Sequence, residues 1–299
     1  MKVLVTGASG RIGGTIAARL ARSHDVTGFD LRPGPFTQCI GDVCDTAALA
    51  RQLAGVEAVV HTASLHVPEL AARSAADFRR VNVEATRRLL AACGEAGVRR
   101  FVYTSTTSLY GHALVPEDAA VWVTESLVPR PRDRYDDTKL AAEECCRAAA
   151  GAGLHCVALR MSRCFPEPPR EIAAYRLYRG VDAEDVAQAH ELALAAPAAG
   201  FAVYNVSAPS PFQWSDCLQL LADAPAVIAR RAPQAAAEFA RRGWELPRSI
   251  DRVYVVEAAI RGLGYRPVHD FAALLGSREA VRSRKSAESL FAGKPISHD

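Results

Sequence analysis

A tyrosine and a lysine four residues apart are the first side chains in this sequence that together could do chemistry. They stand in Tyr135-Asp136-Asp137-Thr138-Lys139, where the pattern is typical of a helix, so both side chains lie on one face. Oxidation of an alcohol needs a base for the hydroxyl proton, and a free phenol, with a pKa of about 10, is a poor base at neutral pH. A nearby ammonium group lowers that pKa. The spacing predicts an acid–base pair, although it also occurs by chance on surface helices.

A glycine-rich turn near the start of the sequence predicts a dinucleotide site. It lies between a short apolar run and a helical pattern, and its residues are Gly7, Ala8, Ser9, Gly10, Arg11, Ile12 and Gly13. Glycine lets backbone N–H groups approach a pyrophosphate, and the helix N-terminus adds a favourable dipole. We expect Gly7, Gly10, Arg11, Ile12 and Gly13 to contact the cofactor. A glycine-rich turn without a ligand is the alternative.

Asp30, at the end of the second apolar run, bears on the choice of dinucleotide. A carboxylate there accepts hydrogen bonds from the adenosine ribose and repels a 2′-phosphate, which favours NAD over NADP. Arg11 and Arg32 act in the other direction, because each could pair with such a phosphate. We expect NAD, with Tyr135 and Lys139 at its nicotinamide end and Lys139 holding the ribose. A solvated surface acid at residue 30 is the alternative.

Short apolar runs separated by longer amphipathic stretches predict the fold. The runs are 3–5, 26–29, 58–60, 101–103 and 156–159. This alternation is typical of βαβ units, and it predicts an α/β protein with a Rossmann-type, doubly wound parallel sheet.

The pattern also divides the chain. We expect residues 1–160 to form a nucleotide-binding domain whose sheet is completed by later segments. Residues 161–276 should form a smaller C-terminal substrate lobe interleaved with the core, and the polar residues 277–299 a flexible tail. The patterned segments beyond residue 160 are a helix over 182–195, a strand over 203–206 and an Ala-rich helical stretch over 214–242 that Pro225 and Pro233 interrupt.

Composition and charge exclude several classes of function. The chain has 299 residues, a net charge of +3 and 49% hydrophobic residues, which gives no reason to expect a nucleic-acid or membrane partner. The eight cysteines form no CxxC pair, and no His/Cys cluster has ligand spacing, so we expect reduced thiols and no metal. The first residues enter an apolar strand directly, which leaves no room for a signal peptide, and no apolar run approaches a membrane span. The expected compartment is the cytoplasm.

The GxxGxxG spacing of the glycine motif resembles the short-chain dehydrogenase/reductase superfamily, and specifically its extended branch of NAD-dependent epimerases and dehydratases. Further matches extend over roughly residues 1–210. The resemblance implies NAD as the cofactor. It also implies Asp42 and Val43 as adenine contacts, Thr62, Ala63 and Ser64 as a loop along the cofactor, and Asn82 as a structural residue.

The resemblance identifies a third catalytic residue. Thr106 stands four residues before a Tyr-Gly pair, where the family places a hydroxyl that meets the substrate oxygen and orients it towards Tyr135. Ser105 would contact the cofactor through its backbone. In the family's dehydratases the next two positions are Asp and Glu. Here they are Thr107 and Ser108, which argues against a sugar-nucleotide dehydratase.

The substrate segment departs from that pattern. Arg163 stands where sugar-nucleotide enzymes have an Asn, and only about twenty residues separate it from Asp185, so we expect a substrate smaller than a nucleotide sugar. Residues 164–168 with Tyr175 and Arg176 are similar to uronate dehydrogenases, which implies that Arg176 holds a sugar carboxylate. A surface role for Arg176 is the alternative, and Arg163 could hold the carboxylate or a phosphate instead.

Four more residues are candidates for contacts with the substrate: Ser64, His66, Thr107 and Asn205. His66 follows the expected cofactor loop, but a lone histidine more often packs or faces solvent. Asn205 stands where the family often has an Asn at the end of a strand.

Three functions are compatible with these residues. The first is an NAD-dependent oxidoreductase acting on a secondary alcohol or ketone of a sugar-like substrate. The second is an epimerase that uses the same residues and keeps NAD bound, and the third is a non-catalytic NAD-binding regulator. The resemblance also implies a homodimer through the helices near 79–96 and 136–150, but Ala-rich faces suit core packing equally well.

Overall fold

The computed structural model of the chain describes residues 1–151, 153–197 and 200–276. Its strands are β1 Lys2–Thr6, β2 Asp25–Asp30, β3 Cys39–Ile40, β4 Ala58–His61, β5 Arg100–Thr106, β6 Val121–Val123, β7 His155–Met161, β8 Phe201–Val206 and β9 Arg252–Tyr254. Its helices are α1 Arg11–Leu20, α2 Thr46–Gln52, α3 Ala75–Phe78, α4 Ala85–Glu95, α5 Arg134–Ala149, α6 Pro169–Arg176, α7 Ala183–Ala195, α8 Cys217–Ala222, α9 Ala224–Arg231, α10 Pro233–Arg241, α11 Glu257–Leu263 and α12 Phe271–Gly276. A π-helical segment, Arg79–Glu84, joins α3 to α4.

Seven strands form one parallel sheet in the order β3-β2-β1-β4-β5-β7-β8. The chain builds outward from β1 in both directions, so the strand order reverses between β1 and β4. This arrangement confirms the predicted Rossmann-type, doubly wound sheet. Ligands of such sheets bind at the carboxyl ends of the strands beside the reversal point.

Both faces of the sheet are covered by helices. Val3 and Val5 of β1 lie in the same core cluster as Ile16 and Leu20 of α1, whereas Leu4 lies in the cluster on the opposite face. Helices α1 and α7 cover the first face, and α2, α4 and α5 cover the second. Because successive side chains of a strand point to opposite faces, a strand covered on both faces needs a continuous apolar run.

The start of α5 is fixed by a side-chain cap. The carboxylate of Asp133 accepts hydrogen bonds from the backbone N–H groups of Tyr135, at 2.8 Å, and Asp136, at 2.9 Å. Such a cap satisfies donors that the first helical turn leaves free. It also sets where the helix begins, so Tyr135 and Lys139 both fall on the buried side of α5.

A second, smaller core lies beyond the sheet. It packs α8, α9 and α10 around the parallel pair β6–β9, with Leu177, Leu220, Val227 and Val253 fully buried or nearly so. The two prolines of the Ala-rich stretch lie in the first turns of α9 and α10, so they start helices rather than interrupt one. Segments β7, α7 and β8 belong to the main sheet and the helices that cover it. The predicted tail, residues 277–299, lies outside the described residues.

His190 fixes α7 to the sheet through two buried hydrogen bonds. Its Nδ1 lies 2.8 Å from the carbonyl oxygen of Val186, and its Nε2 lies 2.7 Å from Oγ1 of Thr104 on β5. Burial lowers the pKa of His190 to about 4. The imidazole is therefore neutral in the folded protein at any pH above that value.

Acid should destabilise the protein through His190. The unfolded histidine takes up a proton below a pH of about 6.5, whereas the folded one does so only near 4. The unfolded state thus binds more protons in this window, and the free energy of unfolding should fall by about 3 kcal/mol as the pH decreases across it. Urea unfolding of wild type and His190→Gln at both ends of the window checks this. His112→Gln, which alters an exposed histidine, is the control, and an equal acid loss in all three proteins contradicts the prediction.

The described residues also bear on metals, disulfides and membranes. All eight cysteines lie in this part of the chain, and all are unpaired thiols. No three His, Cys, Asp or Glu side chains of residues 1–151, 153–197 and 200–276 come together as a set of metal ligands. None of the helices in those ranges combines the length and apolar character that crossing a bilayer requires.

Candidate active site

Three loops meet at the carboxyl edge of the sheet, beside the reversal point. They follow β1, β4 and β5, and the parallel register places Thr6 beside His61 and His61 beside Tyr103. The loops after β1 and β4 carry the predicted cofactor residues, and Thr106 is the last residue of β5.

The turn after β1 leaves no space for side chains at two of its glycines. Gly7 has a φ of +76°, and a Cβ there would lie 2.4 Å from Oγ1 of Thr62 and 2.7 Å from the backbone N of Ala63. A Cβ at Gly13 would lie 2.0 Å from the carbonyl oxygen of Gly7. The backbone N–H of Gly10 donates to that same carbonyl oxygen at 3.1 Å. Glycine is therefore required for the loop after β1 to pack against the loop after β4.

The N-terminus of α1 has the donors that a phosphate needs. Gly10 precedes the helix and has no side chain to cap it, and the first turn contains no acidic residue. Arg11 is exposed and Ile12 is half-buried. The free N–H groups and the dipole of this helix both suit an anion.

Asp30 lies beside the glycine turn. Its Oδ2 accepts a hydrogen bond from the backbone N–H of Ser9 at 3.0 Å, and its Oδ1 accepts one from the backbone N–H of Arg32 at 3.1 Å. A carboxylate has further lone pairs, so it can still accept ribose hydroxyls. The Arg32 side chain is exposed, and the Arg11 guanidinium lies near the Cys164 thiol in the segment after β7 and lowers the pKa of that thiol.

The remaining predicted cofactor residues line the two sides of this edge. Asp42 is half-buried and Val43 is buried after β3, and Ser64 is half-buried in the loop after β4. The side-chain amide of Asn82 holds that loop. Its Oδ1 accepts from the backbone N–H of Leu65 at 2.8 Å, and its Nδ2 donates to the Leu65 carbonyl oxygen at 2.9 Å. Asn82 lies in the π-helical segment, and its role here is to hold the loop backbone.

The structure places two of the predicted catalytic residues side by side. The Thr106 hydroxyl lies close enough to the Tyr135 phenol to lower its pKa. Lys139 lies one turn further along α5 and is 2% exposed. Its Nζ donates to the carbonyl oxygen of Thr104 at 2.7 Å and stands 4.2 Å from the centre of the Tyr103 ring. The hydroxyl of Thr106 and the phenol of Tyr135 thus lie together at the carboxyl edge, and the Lys139 amine is buried against β5 one helical turn away.

Burial dominates the ionisation of this group. It raises the pKa of Tyr135 well above its usual value, the nearby Thr106 hydroxyl lowers it, and the carboxylates of Asp136 and Asp133 raise it again. Burial also lowers the pKa of Lys139 to about 7. The protein groups by themselves therefore keep the phenol protonated, and its acidification by the ammonium group together with the positive nicotinamide ring stays a prediction.

A buried ion pair that the sequence analysis missed lies behind Lys139. Glu143, one turn further along α5, is 1% exposed and accepts two hydrogen bonds from the Arg160 guanidinium on β7, at 2.7 and 3.0 Å. The hydroxyl of Ser105 donates to the same carboxylate at 2.5 Å. Against the effect of burial, Glu143 raises the pKa of Lys139 and favours its ammonium form. An arginine inside the otherwise apolar run of β7 was the available signal.

The network extends from this ion pair to Asn205. The guanidinium of Arg160 donates to the Tyr110 hydroxyl at 3.0 Å, and that hydroxyl donates to Oδ1 of Asn205 at 2.8 Å. Nδ2 of Asn205 donates to the Val123 carbonyl oxygen at 3.2 Å, and the residue is fully buried. Asn205 therefore links the main sheet to β6, and the expectation that it contacts substrate is not met in this conformation.

The two candidate arginines of the substrate segment differ in exposure. Arg176 is 2% exposed, and its guanidinium donates to Asp182 at 2.7 Å and to the His269 carbonyl oxygen at 2.9 Å. These bonds tie the end of α6 to the start of α7 and to the segment before α12, and a role for Arg176 towards a substrate carboxylate stays a prediction. The Arg163 side chain is 40% exposed and pairs with Glu167 at 2.8 Å.

The other substrate candidates lie on the loops of the same edge. His66 is exposed, and its Nε2 lies 3.9 Å from the Glu69 carboxylate. Thr107 is 4% exposed in the turn after β5. The side chains of Ser64 and His66 are therefore accessible to a ligand, whereas that of Thr107 is buried.

A doubly wound sheet with a glycine turn after β1 and a Tyr–Lys helix beside β5 is the architecture of short-chain dehydrogenases/reductases. Within that class the chain belongs to the NAD dependent epimerase/dehydratase family, whose pattern matches residues 3–172.

The relatives carry several activities. The chain is 35% identical over 156 residues to a 3-beta-hydroxysteroid dehydrogenase of Mycolicibacterium neoaurum, a match that covers 48% of this chain and 42% of the relative. It is 30% identical over 203 residues to an uncharacterised UDP-glucose epimerase, YtcB, of Bacillus subtilis, covering 60% of this chain and 62% of the relative. Each match spans less than two thirds of the relative.

Solved structures cover more of the chain. The structure of MoeE5 in complex with UDP-glucose and NAD has a TM-score of 0.68 at 25% identity, and it covers 96% of this chain and 100% of that one. A short-chain dehydrogenase/reductase superfamily protein of Agrobacterium tumefaciens, solved with bound NAD, has a TM-score of 0.70 at 24% identity, covers 97% of this chain and 99% of that one, and shares the fold.

A methyl group at residue 13 should disrupt the glycine turn. Its position 2.0 Å from the Gly7 carbonyl oxygen forces the backbone of the turn apart, so Gly13→Ala should lower the free energy of unfolding by about 2 kcal/mol. Gly94→Ala is the matched control, because a Cβ at that helical position meets no atom within 4 Å. Urea unfolding of both variants measures the effect, and equal stability of the two would show that the turn tolerates a side chain.

Proposed function

We propose that the protein is an NAD-dependent oxidoreductase that oxidises a secondary alcohol of a sugar-like substrate or reduces the corresponding ketone. The observation that carries this proposal is the pair formed by the Thr106 hydroxyl and the buried Tyr135 phenol, whose pKa that hydroxyl lowers. It lies at the same sheet edge as the glycine turn, with the buried Lys139 one helical turn away.

NAD suits the donors and acceptors along this edge. The glycine turn and the N-terminus of α1 would hold the pyrophosphate, Asp30 the adenosine ribose and Lys139 the nicotinamide ribose. Bound NAD would supply the carbon that accepts hydride from the alcohol or returns it to the ketone. The presence of NAD in the MoeE5 structure supports this choice.

Tyr135 would move the proton. In the oxidation direction its phenolate accepts the hydroxyl proton of the substrate, and in reduction its phenol gives a proton to the carbonyl oxygen. Thr106 would hydrogen-bond that same oxygen and orient it. Because burial raises the pKa of Tyr135, the phenolate needs positive charge nearby. The Lys139 ammonium, favoured by Glu143, and the cationic ring of oxidised NAD would provide it.

A sugar-like substrate is supported by the family and by the shortness of the segment after β7. MoeE5 was solved with UDP-glucose, and YtcB is named as a UDP-glucose epimerase. Arg163 remains the candidate for an anionic substituent of the substrate, because its side chain keeps 40% of its surface exposed. The similarity of this segment to uronate dehydrogenases stays a prediction.

The epimerase function is the second candidate, and the epimerases among the relatives favour it. It would use the same Tyr135, Lys139 and Thr106 but keep its NAD. A non-catalytic regulator has no need for a hydroxyl close to a buried phenol with a buried lysine one helical turn away, which counts against the third candidate. A homodimer and a cytoplasmic location stay predictions.

A substrate screen separates these functions. The purified protein is mixed with NAD⁺ and, in turn, D-glucose, D-galactose, D-glucuronate, D-galacturonate and UDP-glucose, and the nicotinamide absorbance is followed. We expect NADH with at least one sugar, and a loss of at least about 100-fold in kcat for Tyr135→Phe with NAD binding retained. Conversion of UDP-glucose to its 4-epimer without NADH would establish the epimerase. Unchanged turnover by Tyr135→Phe would refute the proton-transfer role.

Removing the acid at residue 30 should relax the choice of cofactor. Asp30→Ser loses a charged acceptor for the ribose and the repulsion of a 2′-phosphate, so kcat/KM should fall about tenfold for NAD and rise for NADP. Asp25→Ser, at the exposed start of the same strand, is the control. An unchanged ratio of the two cofactors in Asp30→Ser would place the adenosine ribose elsewhere.

A further inference from the structure

Two side-chain bridges join the end of β5 to the first turn of α5. One is the approach of the Thr106 hydroxyl to the Tyr135 phenol, which lowers the pKa of that phenol. The other lies beside it, where the hydroxyl of Ser108 donates to Oδ1 of Asp136 at 2.5 Å. The second bridge uses the residue directly after the tyrosine and a position of the turn that the proposed proton transfer leaves without a role.

Asp136 is buried, which is unusual for a carboxylate. Its side chain is fully buried, and its Oδ2 faces the backbone N–H of Arg132 at 3.3 Å and the Arg132 guanidinium at 3.5 Å. Asp137, the next residue, is exposed. A carboxylate is costly to remove from water unless its lone pairs are used, so the position of Asp136 depends on Ser108 and Arg132.

Ser108 is held at both of its polar groups. Its backbone N–H donates to Oγ1 of Thr106 at 3.1 Å, and its hydroxyl reaches Asp136. Thr106, Ser108 and Asp136 therefore form a hydrogen-bonded chain that ends at the residue next to Tyr135. Through this chain the buried Ser108–Asp136 bond limits how far Thr106 and Tyr135 can move apart.

We propose that Ser108 and Asp136 are positioning residues that hold Thr106 against the Tyr135 phenol at the start of α5. The inference rests on the proposed function, in which this phenol moves the proton. Neither residue needs to touch the substrate for this role.

Charge gives Asp136 its second effect. Its carboxylate is adjacent to Tyr135 and raises the pKa of the phenol, as does Asp133. The charged groups that face Asp136 are Asp133 and Arg132, and burial raises its own pKa while Ser108 lowers it. The phenol of Tyr103 is a further titratable neighbour of Tyr135, and the Lys139 amine lies over the ring of Tyr103.

The charge effect can be measured without a substrate. Difluorotyrosine is incorporated throughout the protein, and the fluorine NMR signal of residue 135 is assigned by its loss in Tyr135→Phe. With NAD⁺ bound, Asp136→Asn should lower the titration midpoint of that signal by about one pH unit. Asn keeps an acceptor for Ser108, so the fold is retained. Asp137→Asn removes the same charge from an exposed site and should leave the midpoint unchanged.

The positioning effect requires turnover. With the sugar that wild type oxidises fastest, Ser108→Ala should lower kcat about tenfold and leave KM for NAD⁺ within about twofold. Ser108→Thr keeps the hydroxyl and should recover most of that loss. A structural role alone would lower stability in both variants without separating kcat from KM.

The outcomes separate the two proposals. An active Tyr135→Phe refutes the proposed function. An inactive Tyr135→Phe together with an unmoved midpoint in Asp136→Asn overturns the inference alone, as does an equal shift in Asp137→Asn. Equal kcat for Ser108→Ala and wild type overturns the positioning part.

Discussion

The burial of charge beneath α5 is the constraint on which the site depends. Lys139, Glu143 and Arg160 are all removed from water where this helix packs on β5 and β7. Each buried ion costs several kcal/mol unless its partners are close and well oriented. The two-point contact between Glu143 and Arg160 meets this condition at only one position of the helix along the sheet. Because Tyr135 lies on the same helix, this position of α5 also places Tyr135 at the edge of the sheet.

Local capping and long-range pairing act in the same direction. The Asp133 cap sets where α5 begins, and the ion pair sets where its second and third turns lie. The parallel register of β5 and β7 places Thr106 beside Met161, so Thr106 and the segment that carries Arg163 leave the sheet together. Backbone pairing, the cap and the ion pair all favour the same placement of α5 on the sheet. This placement brings the phenol, the hydroxyl and the substrate segment to one edge.

The sequence predicts the parts of the site that depend on local spacing. The glycine turn and the Tyr135–Lys139 helix are local patterns, and the structure places both at the carboxyl edge. Arg176 and Asn205 show where such reasoning ends. Their partners, among them Asp182 and Val123, are chosen by packing between segments far apart in the chain, and no local pattern specifies which of several charged or polar residues finds a buried partner. Asp136 is of the same kind, since its neighbour Asp137 differs from it only in environment.

Burying the Lys139 amine lowers the free energy of unfolding at neutral pH. The presence of a lysine at a position that costs stability is evidence for a function. The folded amine has a pKa of about 7, whereas its usual value is 10.5. The unfolded chain binds more protons between these values, so the free energy of unfolding rises with pH across the window and is reduced at neutral pH. An apolar side chain at this buried position would avoid that cost. A lysine that is near half-protonated at neutral pH, beside a phenol that the protein keeps neutral, is suited to respond to a bound cation rather than to stabilise the core.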